Sequence, residues 1–295
     1  MGDSSSLPVV YIAGSSHSGS TLLDLVLGSH SKIESLGEAK KIPQVLAKIR
    51  DPSGETPLCS CREPINSCGF WSAVLRLDEG TFTEREEITK QPAADLGLAR
   101  RALAFRAREV LLDSSKNLGR LRFLSCVPEF DVTCLHLTRD PRAVAFSAVR
   151  KIEKKTGPLD PKSRWRLLTK HAFDWSSLNR KIRNRYHSKK SVTYLALRYE
   201  DFVMAPESTL AKVLPSIGLK FEAAQMQFRN FTHHNIEGNR LRLQGGCEIR
   251  FDSSYLNGLT SAEWWTISLI LLPTLGRFGY SFSRRQPTFE PNDRE

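Results

Sequence analysis

The residues best suited to chemistry lie near the start of the chain. Gly14 to Thr21 reads GSSHSGST, with glycines at G-x-x-x-x-G spacing between an apolar run, VVYIA, and a leucine-rich stretch, TLLDLVLGS. Small residues at a strand-to-helix junction let backbone N–H groups and the helix amino terminus close around a phosphate. Ser20 and Thr21 add hydroxyl donors. Where a nucleoside triphosphatase carries the lysine that reaches the β- and γ-phosphates, this chain has Ser20. A triphosphate and magnesium site is poorly explained without it, and a nucleotide with a single 5′-phosphate and an attached leaving moiety fits better. A plain Ser/Gly-rich turn is the alternative; the position after the first strand favours phosphate.

A second constellation is LHLTRDPRAVAFS. It puts Arg139 at the carboxyl end of a strand and Ser147 on the second turn of the next helix, from where both can converge on one phosphate. Alternatively Arg139 pairs with Asp140 or a surface carboxylate and Ser147 faces solvent.

In order and at strand-to-helix junctions, the two motifs resemble sulfotransferases that use 3′-phosphoadenosine 5′-phosphosulfate (PAPS). That family's phosphosulfate loop runs basic residue, Ser, Gly, Ser or Thr, Thr, then leucines, and HSGSTLL, His17 to Leu23, fills the frame. The resemblance implies that His17, Ser18, Gly19, Ser20 and Thr21 hold the 5′-phosphosulfate and that Arg139 and Ser147 hold the 3′-phosphate. ALRYEDFVMAPESTL is similar to a family segment whose tyrosine, here Tyr199, lies near the adenine. IEGNRLRLQGG and IRFDSSYLNGLT look like the closing loop over the 3′-phosphate, which carries Arg242. The implied donor is PAPS, the product 3′,5′-adenosine bisphosphate, with no metal needed. The likeness runs from about Val9 to Thr260, outside Arg50 to Arg108, and is nearer to bacterial and protein-tyrosine sulfotransferases than to cytosolic small-molecule ones.

This chain departs from the pattern at two places. His17 stands where the family most often has Lys or Arg; a bound anion would favour its charged form, and a neutral donor is the alternative. The histidine base of cytosolic members is missing, because the middle strand runs into DSSKN. SLGEAKKIP instead resembles a segment that contributes a glutamate base, making Glu38 the candidate and Asp113 the runner-up, with Asp24 expected to face solvent. A Glu38 paired with Lys40 or Lys41 at the surface is the bland reading. Lys116, just past that strand, is placed to reach the transferring sulfuryl group, or is simply a loop lysine.

The elements that must position these residues alternate strand and helix. Strands are expected at Val9–Ala13, Lys32–Gly37, Glu109–Asp113, Val132–Thr138 and Val192–Arg198. Helices are expected over TLLDLVLGS, IPQVLAKI, Ala93–Arg108, AVAFSAVRKI, Pro206–Ile217 and, from a Thr260/Glu263 capping box, through Leu272. This spacing predicts an α/β fold of three layers, a mostly parallel central sheet covered on both faces, with ligands at the strand carboxyl ends. A single domain over 1–295 is expected, with 50–108 as a cysteine-containing insertion or cap and a helix.

The chain has 295 residues, 40% apolar, and a net charge of +11, which points to anionic partners without choosing among them. Arg150 to Lys190 is basic with Trp165, Trp175 and Tyr186 interspersed; a solvated helix face is the default, and a preference for anionic acceptors is only suggested. The acceptor is a hydroxyl or amine on a small molecule, glycan, lipid or peptide; nucleic acid is not expected. Met1 to Pro8 lacks a signal-peptide pattern and Trp264 to Leu275 is too short to span a bilayer, so a cytoplasmic location is expected. A basic anion- or nucleic-acid-binding module and a P-loop nucleotide kinase are the rival readings.

Of six cysteines, Cys126 and Cys134 read as ordinary buried thiols. Cys59, Cys61 and Cys68 cluster in CSCREPINSCGFW. A zinc set wants a fourth ligand, and no histidine lies nearby in sequence. A reduced structural turn leads, a local disulfide comes second and a metal third.

Overall fold

The computed structural model describes residues 6–51, 54–77, 90–243 and 248–284. Its centre is β1 (Leu7–Gly14), whose β-branched and aromatic residues suit a strand buried on both faces. Alternate residues point to opposite sides: Val9, Tyr11 and Ala13 join one apolar cluster, Val10 and Ile12 another. The other strands are β2 (Ile33–Ser35), β3 (Val110–Asp113), β4 (Phe130–Thr138) and β5 (Thr193–Arg198). All pairings are parallel, in the order β2-β3-β1-β4-β5, with Val9 beside Leu111 and Val132. The α/β expectation holds.

Helices cover both faces. On one side lie α2 (Ile42–Arg50), α3 (Gly69–Leu75), α4 (Pro92–Phe105) and α5 (Leu118–Leu124), packed on the Val9 face through residues such as Leu46, Trp71, Leu98 and Leu121. On the other lie α1 (Ser20–Leu27), α8 (Tyr199–Met204) and α9 (Pro206–Val213), packed through Leu23, Phe202 and Leu210. A third cluster joins α6 (Pro141–Thr156) and the 26-residue α7 (Pro161–Tyr186) to α10 (Ser254–Gly258), α11 (Ser261–Ile270) and α12 (Leu272–Arg277).

Helix starts follow their sequence signals. Asn117, Asp140 and Asp160 each accept a backbone N–H from the first turn of α5, α6 and α7, and the Thr260/Glu263 capping box forms at α11. The expected single helix through Leu272 is two, because Pro273 lacks an N–H and starts α12 instead. The expected loop from Asp51 to Trp71 closes with the start of α3, where Phe70 and Trp71 are buried. Trp175 and Tyr186 face the core rather than interleaving a basic surface, and Cys126 is exposed rather than buried. No helix among the described residues is long and apolar enough to cross a membrane.

Candidate active site

The carboxyl ends of all five parallel strands face the same way, and the residues just past them are the ones with chemical potential. Gly14 ends β1, Glu38 follows β2, Lys116 follows β3, Arg139 follows β4 and Tyr199 follows β5. Beside β1 the sheet grows in opposite directions, toward β3 and toward β4, which is the switch point where such sheets bind ligands.

Both loop glycines are required by space and by conformation. Gly14 has φ 147°, and a Cβ there would collide with the Leu137 carbonyl oxygen. Gly19 has φ 88°, and a Cβ there would collide with the Tyr199 ring. Between them His17 holds a left-handed φ of 65°. Ser15 Oγ, Ser18 Oγ and Arg139 Nε are buried without a hydrogen-bond partner. Unpaired buried donors around a helix amino terminus are costly unless they meet an anion, so the cradle fits a nucleotide phosphate.

His17, Arg139, Ser147 and Tyr199 come together around this loop. Arg139 Nη1 donates to the His17 carbonyl (3.1 Å), Ser147 Oγ hydrogen-bonds His17 Nδ1 (3.0 Å), and the Arg139 guanidinium lies 4.5 Å from the Tyr199 ring centroid. Arg139 is 6% exposed and pairs not with Asp140 but with Asp252, at 3.0 Å. Asp140 is held by Arg142 instead, in a buried bidentate pair. Tyr199 OH donates to the Arg250 carbonyl, so 250–252 closes over this side. Burial, then the charges of Lys151, His171, Arg139 and Lys116, lower the His17 pKa to about 4. The imidazole is therefore neutral in the nucleotide-free protein at neutral pH. Lys151 and His171 were missed by sequence reasoning; Lys151 lies one helical turn beyond Ser147, on the same face, and that i,i+4 spacing was the available signal.

A second group adjoins the first. Lys116 Nζ donates to Glu38 Oε1 at 2.6 Å, both side chains being mostly buried. Lys116 also adopts a left-handed φ of 54°, which turns its backbone at the end of β3. A Cβ on Gly238 would lie 3.8 Å from both Glu38 Oε1 and Thr21 Oγ1, so both side chains line the space beside Gly238. Glu38 is thus paired with Lys116 and not with Lys40 or Lys41. Arg242 donates to the Asn235 carbonyl and lies near Cys59, Glu237, Glu38 and Cys61, on the Glu38 side of the site. Gln244 to Gly246 of the expected closing loop lie outside the described residues.

Two expectations are corrected. Asp24 does not face solvent: it is 1% exposed and accepts from Ser35, Ser114 and Asn235, tying α1 to β2, to the loop after β3 and to the segment opposite Glu38. Burial pushes its carboxyl up to about 6, against the pull of those three hydrogen bonds. Asp113 is committed to a buried Arg120 that also holds Asp95, and to Ser115, which leaves it structural rather than placed as a base.

The glycine loop lies at the switch point, with the Glu38–Lys116 pair on neighbouring strand ends beside it, where parallel α/β sheets place their ligands. The chain belongs to the sulfotransferase family, whose model matches residues 8–223. It is thus a transferase for sulfuryl groups. Among curated proteins none matches the sequence. Two solved structures share the fold at 18% identity. The sulfotransferase domain from the curacin biosynthetic pathway superposes with a TM-score of 0.56, covering 94% of this chain and 99% of that one. The sulfotransferase domain from the Synechococcus PCC 7002 olefin synthase gives 0.50, with 95% and 98% covered.

Proposed function

We propose that this sulfotransferase takes its sulfuryl group from PAPS and passes it to a hydroxyl or amine by in-line displacement. The observation that carries this reading is the convergence of His17, Arg139, Ser147 and Tyr199 on a loop whose Ser15 and Ser18 hydroxyls are buried and unpaired. In this reading Ser18 to Thr21 and His17 bind the 5′-phosphosulfate, Arg139 and Ser147 bind the 3′-phosphate, and Tyr199 lines the adenine site. Arg139 exchanges its exposed partner Asp252 for that phosphate.

Glu38 takes the proton of the acceptor O–H or N–H as the new bond to sulfur forms. The bond from sulfur to the 5′-phosphate oxygen breaks, and 3′,5′-adenosine bisphosphate leaves with that electron pair. Lys116, within hydrogen-bond reach of Glu38, supplies positive charge to the sulfuryl oxygens, and His17, protonated beside the bound anion, stabilises the leaving oxygen. The basic surroundings suit an anionic acceptor; nucleic acid is not the substrate in this reading. The whole chain, 1–295, acts as one domain in the cytoplasm, with 50–108 capping the acceptor side and Arg242 in the loop that closes over the bound nucleotide.

The test is label transfer from ³⁵S-PAPS to a panel of phenols, amines, glycans and acidic peptides. Transfer that is lost in Arg139→Ala and in Glu38→Gln supports the assignment. Transfer unchanged in both removes these residues from the mechanism.

A further inference from the structure

Cys59, Cys61 and Cys68 gain the histidine that the local sequence does not supply. His234 arrives from the far side of the chain, and the four ligand atoms all lie within 4.8 Å of one another. Cys59 Sγ is 3.6 Å and Cys68 Sγ 3.3 Å from His234 Nδ1, and Cys61 Sγ is 3.7 Å from Cys68 Sγ. A tetrahedral zinc with Zn–S of about 2.3 Å and Zn–N of about 2.0 Å requires S···N separations of roughly 3.5 Å and S···S separations of roughly 3.8 Å. The three short separations match these values, and the others stay within 4.8 Å.

Local structure presents the ligands as a closed set. Leu58 and Pro64 form an antiparallel bridge, and the Cys59 N–H donates to the Glu63 carbonyl, so Cys59 and Cys61 sit on a tight knuckle with Arg62 at φ 75°. Cys68 caps α3, its N–H bound to the Pro64 carbonyl. The His234 ring stacks on Phe70 at 4.9 Å and 10°, which fixes its orientation. Cys59 and Cys68 are fully buried.

We infer that Cys59, Cys61, Cys68 and His234 form a structural zinc site that clamps the cysteine-containing insertion to the segment opposite Glu38. Three thiolates and an imidazole in tetrahedral array favour zinc over hard cations, and four protein ligands leave no open position for catalysis. The clamp is continuous with the active-site wall. Ser60 Oγ donates to the Asn235 carbonyl, the Asn235 amide holds Asp24, and Ile236 pairs with Gly37 while its carbonyl accepts the Glu38 N–H. Zinc binding thus fixes the strap against which Glu38 is held.

The test is elemental analysis of protein made without a histidine tag and dialysed under reducing conditions. One zinc per chain is expected, and cobalt replacement is expected to give the visible and thiolate charge-transfer bands of tetrahedral sulfur coordination. Cys61→Ser and His234→Ala should lose most of that metal, whereas Cys126→Ser, at an exposed turn, should keep it. The wild-type cobalt spectrum decides the matter if the ligand variants fail to fold. No metal bound after zinc is added to reduced protein, or a Cys61–Cys68 disulfide in protein isolated with thiols blocked, would overturn the site. These readouts do not involve nucleotide, so they stand apart from the donor assignment.

Discussion

Lys116 Nζ and Glu38 Oε1 form a 2.6 Å hydrogen-bonded ion pair between the loops that follow two neighbouring strands, β3 and β2. The pair places the Glu38 carboxyl on the same space beside Gly238 that Thr21 Oγ1 lines. If Glu38 removes the acceptor proton, Glu38→Gln should lower turnover by about 10²- to 10⁴-fold while leaving bisphosphate affinity close to wild type. Lys116→Ala should also lower turnover. Steady-state kinetics beside calorimetry separate the two effects.

Arg139 is paired with Asp252, a contact it must give up if it binds the 3′-phosphate as proposed. Asp252→Asn keeps much of the side-chain shape and removes the charge, so 3′,5′-adenosine bisphosphate should bind more tightly. Adenosine 5′-monophosphate, which lacks the competing group, should be affected less.

Burial and the surrounding cations hold His17 neutral above about pH 4. A bound anion raises that pKa, so nucleotide binding should take up a proton, and affinity should rise as the pH falls toward 5. Calorimetry in two buffers of different ionisation enthalpy would register the uptake. His17→Asn should remove both effects.

Asp24 links three segments around the site, and Asp24→Ala leaves the Ser35, Ser114 and Asn235 groups without their shared acceptor. A loss of about 2–4 kcal/mol in unfolding free energy is expected. The folded carboxyl titrates near 6, above the ordinary value of 3.8, so its contribution is fully present below the unfolded pKa and is lost as pH rises through about 6. Asp24→Asn should therefore flatten the decline in stability between pH 4 and 7 in denaturant titrations.

The strands, and the strand-to-helix junctions that carry the glycine loop and Arg139 with Ser147, were legible because each depends on local spacing: apolar runs for β1 and β4, small residues at the first turn, and a proline-started helix after Arg139. Glu38 and Lys116 were found singly, but not their pairing, which depends on β2 lying beside β3. Asp24 was misread because a short amphipathic helix gave no sign that its polar face is covered by Ser35, Ser114 and Asn235, which lie 11, 90 and 211 positions away. His234 escaped for the same reason, arriving from 166 residues beyond Cys68. Contacts of that range follow from topology and leave no periodic trace in sequence.

The most direct measurement is calorimetric titration with 3′,5′-adenosine bisphosphate and with adenosine 5′-monophosphate, in wild type and in Arg139→Ala. The account predicts much tighter binding of the bisphosphate, with most of that advantage lost in the variant, at a cost of about 1.5–3 kcal/mol for one charge-assisted phosphate contact. Equal binding of the two nucleotides by wild type, or binding of neither, would contradict it.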